Sequence, residues 1–153
     1  TPAPPGSYVA SVAATTPTAC IAGSYTSTTG ASACTPAPAG SFIDAIGATG
    51  PTPCAGGRYT AVEGATACQV AIPGYYAPGP GATAQLPSPL GHFVAAAGAN
   101  QPTPAPSGRY VGVTGATASS ACTIGTYSGG TGASAWMRRT RSTTAAWTYP
   151  NHM

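Results

Sequence analysis

The sequence predicts an all-β protein of low regular secondary structure: an elongated, linear array of eight 17-residue, disulfide-braced, hairpin-like repeats with no globular core. Three observations predict it. A glycine recurs every 17 residues without insertion or deletion, at Gly6, Gly23, Gly40, Gly57, Gly74, Gly91, Gly108 and Gly125. Two residues after each stands an aromatic: Tyr8, Tyr25, Phe42, Tyr59, Tyr76, Phe93, Tyr110 and Tyr127. The cysteines keep the same period. A period this short describes small identical units stacked in a line, each touching mainly its neighbours.

Within one repeat, Gly23-Ser24-Tyr25-Thr26-Ser27 alternates small or polar residues with an aromatic, the signal of a short strand. Thr28-Thr29-Gly30-Ala31 then turns the chain. The glycine there recurs in every repeat but the first, which has Ala13, and an alanine always follows it. Ser32-Ala33-Cys34-Thr35 is expected to return as a second strand, and Pro36-Ala37-Pro38 to lead, extended, into the next unit. Each aromatic is expected to pack over the glycine-alanine turn of the neighbouring repeat. The packing set is thus the eight aromatics together with Gly23, Gly40, Gly57, Gly74, Gly91 and Gly108.

Composition explains why the units need bracing. The hydrophobic fraction is 42%, but half of it is alanine; Leu, Ile, Val and Phe make up only 16 of 153 residues. That is too few for a single globular core. One aromatic per repeat does not offset the entropy of ordering the rest of the unit, so bridges, proline stiffening or assembly must contribute. The 17 prolines restrict the unfolded chain, and no long window before the tail lacks Gly or Pro, which leaves little room for helix.

Cys20 and Cys54 stand three residues before a repeat glycine, and Cys34 and Cys68 stand eleven after it. This spacing pairs Cys20 with Cys34 and Cys54 with Cys68. Each bridge closes a loop of 15 residues, for which chain entropy gives about 3 kcal/mol. Elsewhere the two positions change together, as Ala3/Pro17, Ala37/Pro51, Ala71/Gln85, Ser88/Pro102 and Ala105/Ser119, which is internal evidence that they touch. Cys122 is unpaired, because Trp136 stands where its partner is due. Bridges of this kind place the protein in an oxidising, extracellular or cell-surface setting.

The repeats fill residues 1–135, and a non-repeat tail fills 136–153. Both tryptophans, both methionines and Arg138, Arg139 and Arg141 lie in that tail. It reads as a cap, a domain cut short or a mis-assigned stretch of sequence, with the last two favoured. The opening Thr1-Pro2-Ala3-Pro4-Pro5-Gly6 matches Thr35-Pro36-Ala37-Pro38-Ala39-Gly40, so the chain reads as a mature or fragmentary piece of a longer array.

The frame Cys-x-x-Gly-x-Tyr-x4-Gly-Ala-x-x-Cys, here Cys20 through Gly23, Tyr25, Gly30 and Ala31 to Cys34, and again Cys54 to Cys68, resembles the ephrin-receptor-like cysteine-rich repeat. That repeat is a relative of tumour-necrosis-factor-receptor modules. The resemblance covers residues 1–135 at the level of the glycine-aromatic-glycine frame, and two repeats with both cysteines. It implies a secreted or cell-surface rod of small disulfide-braced β units. Such repeats also occur in large algal and protist surface proteins, including hair-like flagellar filaments. Five of the eight repeats lack both cysteines, which implies that fibre packing or attached glycan replaces the bridge.

Charge argues against several classes of partner. There is no lysine, and Arg58, Arg109, Asp44 and Glu63 cancel within the repeats, so the net +3 comes from the tail. A neutral surface has no electrostatic footprint for nucleic acid. No apolar run is long enough to insert in a membrane. Asp44 and Glu63 lie at different offsets in different repeats and do not make an acid/base or calcium pair. His92 occupies a variable surface position, and His152 is in the tail. The sequence therefore predicts no enzyme, metal or cofactor.

Thr16, Thr35, Thr52, Ser88 and Thr103 each precede a proline, and Ser/Thr with Pro reads as O-glycosylated material. The prolines themselves are a second possible point of hydroxylation and sugar attachment. The function expected is an extracellular structural protein that self-associates into a homopolymer, forming or sheathing a filament and carrying covalent glycans. The alternatives are the stalk of a receptor or adhesin, and an ice- or polysaccharide-binding surface. The last would need threonine at one repeat offset; three after the glycine, that row is broken.

Overall fold

The computed structural model describes residues 2–11 and 16–138. Ala13, Ala14, Arg139, Arg141, Trp147 and His152 lie outside the described residues. Among those described there is no helix. Sixteen two-residue strands form eight two-stranded antiparallel sheets, one per repeat. In the second repeat Ser24–Tyr25 pairs with Thr35–Pro36, placing Tyr25 opposite Thr35 and Ser24 opposite Pro36. The fold is all-β, a linear array of hairpins, as the period predicts.

The return strand comes later than the sequence suggested, at Thr35–Pro36 rather than around Cys34. A proline has no N–H to give to a ladder, so it fits only where that N–H is not required. Pro36, Pro53, Pro87 and Pro104 all take the strand's second place, opposite Ser24, Ser41, Tyr75 and His92. The eighth hairpin pairs Thr126–Tyr127 with Met137–Arg138, so β pairing runs past the change of composition at residue 136.

The repeat glycine is set by a tight turn. In every repeat the residue after the glycine donates its N–H to the carbonyl three residues back, as from Ser24 to Ile21 (3.0 Å) and from Tyr75 to Ile72 (3.0 Å). The glycine stands third in this turn with φ between 78° and 88°. A type II turn needs positive φ there and accepts proline before it, as at Pro5 and Pro73.

Three backbone hydrogen bonds join each repeat to the next. The repeat glycine donates to the residue three beyond the following glycine, as Gly23 to Ile43 (2.8 Å). The residue three beyond a glycine donates to the alanine after the next turn glycine, as Ile43 to Ala65 (3.0 Å). In the opposite sense, each turn glycine donates to the residue three before the preceding repeat glycine, as Gly64 to Ala37 (2.8 Å). At the last such interface Gly108 donates instead to the Ser128 hydroxyl (2.9 Å).

Contacts also reach two repeats along, beyond the neighbours that the period suggested as the main partners. A β-carbon built on Gly6, Gly23, Gly40, Gly57, Gly74 or Gly91 would lie 2.6 to 3.2 Å from the carbonyl carbon of the turn glycine two repeats later. Alternate repeats therefore lie directly against one another, in an odd and an even stack. The sequence alternates in step. Ala3, Ala37, Ala71 and Ala105 of the odd repeats face Cys20, Cys54, Ser88 and Cys122 of the even ones at the same offset. Three after the glycine, Val9, Ile43, Ala77 and Val111 alternate with Thr26, Thr60, Val94 and Ser128. The side-chain pattern thus pairs the repeats, while the backbone bonds recur every 17 residues.

The core is a thread of small side chains. Ala3, Cys20, Ala37, Cys54, Ala71, Ala77, Ser88 and Ala105 are fully buried, and Thr26, Ile43, Thr60, Val94 and Val111 nearly so. The aromatics are only half-buried, and Tyr127 is exposed. The small side chains, rather than the rings, are the fully buried residues. Tyr8 borders a groove with Ala33 and Cys34 of the following repeat.

Candidate assembly and modification surface

Both bridges form as spaced in the sequence. Cys20 joins Cys34 and Cys54 joins Cys68, each with Cα atoms 5.8 Å apart. Two disulfides in a chain with so little core point to an oxidising environment. Cys122 is free and partly exposed, with Trp136 in its partner's sequence position.

Where the bridge is missing, two repeats carry side-chain hydrogen bonds at the second cysteine position, and the bridged fourth repeat has one there too, from Arg58 to the Cys68 carbonyl. In the fifth repeat Gln85 stands at the second cysteine position, and its Oε1 accepts from the N–H of Ile72 at 2.9 Å, one residue past Ala71. In the seventh repeat Arg109 Nε donates to Ser119 Oγ (2.9 Å) and its terminal nitrogen to the Ser119 carbonyl (2.7 Å). Repeats one, three and six carry Pro17, Pro51 and Pro102 there, which restrict the unfolded chain instead. The sequence pattern showed that the two positions change together; it did not show that polar side chains take over the bridge.

The candidate glycosylation residues separate into three groups. Thr35, Thr52 and Thr103 are exposed and open their return strands, opposite Tyr25, Phe42 and Phe93. Thr16 is exposed but lies outside the strands. Ser88 is fully buried and its hydroxyl donates to the Ala116 carbonyl at 3.2 Å, so it is withdrawn as a glycosylation candidate. Ser88 sits in the even-stack position that Cys20 and Cys54 occupy elsewhere, and a Ser-Pro dipeptide does not reveal this.

Reading dipeptides also missed Thr18 and Ser120. They stand opposite Tyr8 and Tyr110 in the same register as Thr35 opposite Tyr25. A constant offset, five residues before the repeat glycine, would have found them. The groove beside Tyr8 has a volume of about 460 Å³ and is lined by Thr18, Ser24, Ala33, Cys34 and Pro36 among others. Its walls are mainly aromatic and aliphatic, with hydroxyls at the edge.

The rest of the surface is sparsely charged. Asp44 and Glu63 are exposed on different repeats, and His92 Nδ1 lies 3.2 Å from the Leu90 carbonyl. Among the described residues no three of His, Cys, Asp and Glu gather as a metal site, and no helix is long and apolar enough to cross a membrane. Large aliphatics stand open instead: Ile21, Ile46, Val62, Ile72, Val113 and Ile124 are each more than half exposed. No family model matches the chain, and no curated protein matches it either.

Proposed function

We propose that this protein is an extracellular structural repeat protein that associates with further copies of itself to form or sheathe a filament, with covalent glycan on its surface. The observation that carries the reading is the polarity of the repeat interface. One side of each unit offers two N–H donors and one carbonyl, as Gly40, Ile43 and Ala37; the other offers the complement, as Ile43 and Ala48 carbonyls and the Gly47 N–H. A head-to-tail contact of this kind is heterologous, and repeated between chains along the line of the array it generates a fibre. The same pattern of donors and carbonyls, offered between arrays, would let one array continue into another.

Two further features support it. The exposed aliphatics on a nearly uncharged surface call for covering, by neighbouring chains or by sugar. The resemblance to ephrin-receptor-like repeats fits a surface filament, and the bridges fit secretion. Electron microscopy of native material tests the reading. Long uniform fibres are expected; short single rods ending in a globular head would instead make the chain a receptor or adhesin stalk.

A further inference from the structure

Register, rather than the Thr-Pro dipeptide, singles out one row of hydroxyls. Thr18, Thr35, Thr52, Thr103 and Ser120 are all exposed, all five residues before a repeat glycine, and all directly opposite the aromatic of their own hairpin. Residues directly opposite on antiparallel strands project to the same face with their β-carbons about 5 Å apart. Each hydroxyl therefore stands beside the open side of a half-buried ring. The other three aromatics face Gln69, Leu86 and Met137, which carry no hydroxyl.

We infer that these five hydroxyls are the O-glycosylation sites of the chain, and that each attached sugar lies over the aromatic ring across the hairpin. The inference rests on the extracellular reading above. A sugar ring has an apolar C–H face and a polar rim. Laid on Tyr8, Tyr25 or Phe42, that face covers the exposed side of the ring, and at Tyr8 the groove beside it, while the rim adds polar surface to a sparsely charged chain. The attachment needs a nucleotide-activated sugar. The threonine or serine oxygen forms a bond to the anomeric carbon, the bond from that carbon to phosphate breaks, the nucleoside diphosphate leaves, and the hydroxyl proton passes to a base. A buried hydroxyl cannot undergo this reaction, so Ser88 stays bare, and Thr16, with no ring across from it, is outside the row.

The test is site-resolved mass spectrometry of native protein, with fragmentation that keeps sugars on their residues, alongside a density map of the same material. Whole-sugar mass increments are expected on Thr18, Thr35, Thr52, Thr103 and Ser120, none on Ser88 or Thr16, and density over the Tyr25 and Phe42 rings. Bare residues in that row, sugar on Ser88, or glycan density directed away from the rings would overturn the inference. Sugar that washes away in denaturant without bond cleavage would also overturn it, since that is a bound polysaccharide. Fibres with bare threonines would defeat this inference and leave the filament intact; glycosylated single rods would do the reverse.

Discussion

The carbonyl of Gly98 occupies the place where a β-carbon on Gly57 would stand, two repeats away. The same relationship links Gly23 to Gly64 and Gly40 to Gly81. It makes the repeat glycine irreplaceable for two reasons: the turn demands positive φ, and backbone from the same stack fills the space above it.

Gly57→Ala tests this contact. A non-glycine residue at positive φ costs on the order of 1–3 kcal/mol by itself. Here the displaced Gly98 carbonyl adds to it, so a larger loss is expected, with faster amide exchange in both the fourth and sixth repeats. Gly79→Ala is the control: φ is +63° but nothing described lies within 4 Å, so only the turn strain should appear. Equal losses in the two variants would mean that the stacking contact contributes nothing.

Ile43 and Ile46 belong to one repeat, three residues apart, with relative exposures of 4% and 73%. Ile43→Ala should destabilise by about 2–5 kcal/mol, as buried aliphatics do. Ile46→Ala should stay within about 0.5 kcal/mol. Thermal melts of the two variants decide whether the core really is the line three residues beyond each glycine.

Reduction should act locally. With each bridge contributing about 3 kcal/mol, hydrogen exchange after reduction should rise around repeats two and four while Gly115 and Val111 keep their protection. Their amides are held by bonds to Ser88 and Ala133, neither of which lies in a bridged repeat. Global unfolding on reduction would show that the array is not quasi-linear. Before reduction, one thiol per chain, Cys122, should react with a thiol reagent.

Gln85 takes the place of a bridge half, and its removal should show that. Gln85→Ala should cost about 1 kcal/mol, the worth of an ordinary hydrogen bond, and raise exchange at Ile72. Replacing Ala71 and Gln85 together by cysteine and oxidising should raise stability by up to about 3 kcal/mol. A melting temperature unchanged in both variants would mean that this loop needs no closure.

Much of the architecture was legible because the repeat puts the same demand at the same offset eight times. The hairpins, both disulfides and the unpaired Cys122 follow from the spacing of glycines and cysteines. The stacking of alternate repeats did not, because it is made by backbone atoms of Gly57 and Gly98, which leave no side-chain trace in either residue. Its indirect trace, Ala37 against Cys54 and Ile43 against Thr60 in alternate units, needs the array to be read in pairs. The identity of the buried thread was not legible either, because size points to the aromatics, whereas the space between repeats admits only alanine, cysteine, serine or one branched side chain. The row of exposed hydroxyls opposite the aromatics was only half-legible: Thr-Pro finds Thr35 but also the buried Ser88, since a dipeptide carries no information about which side of a hairpin it lies on.

Electron cryo-microscopy of the native assembly is the most direct test of the central claim, that this chain is built to polymerise through its repeat interface. Continuous fibres are expected, in which each repeat glycine meets the turn-glycine carbonyl two units along and this contact continues across chain junctions. Discrete particles one array long, or fibres whose chains meet side by side with no hydrogen-bonded continuation from one array to the next, would contradict it.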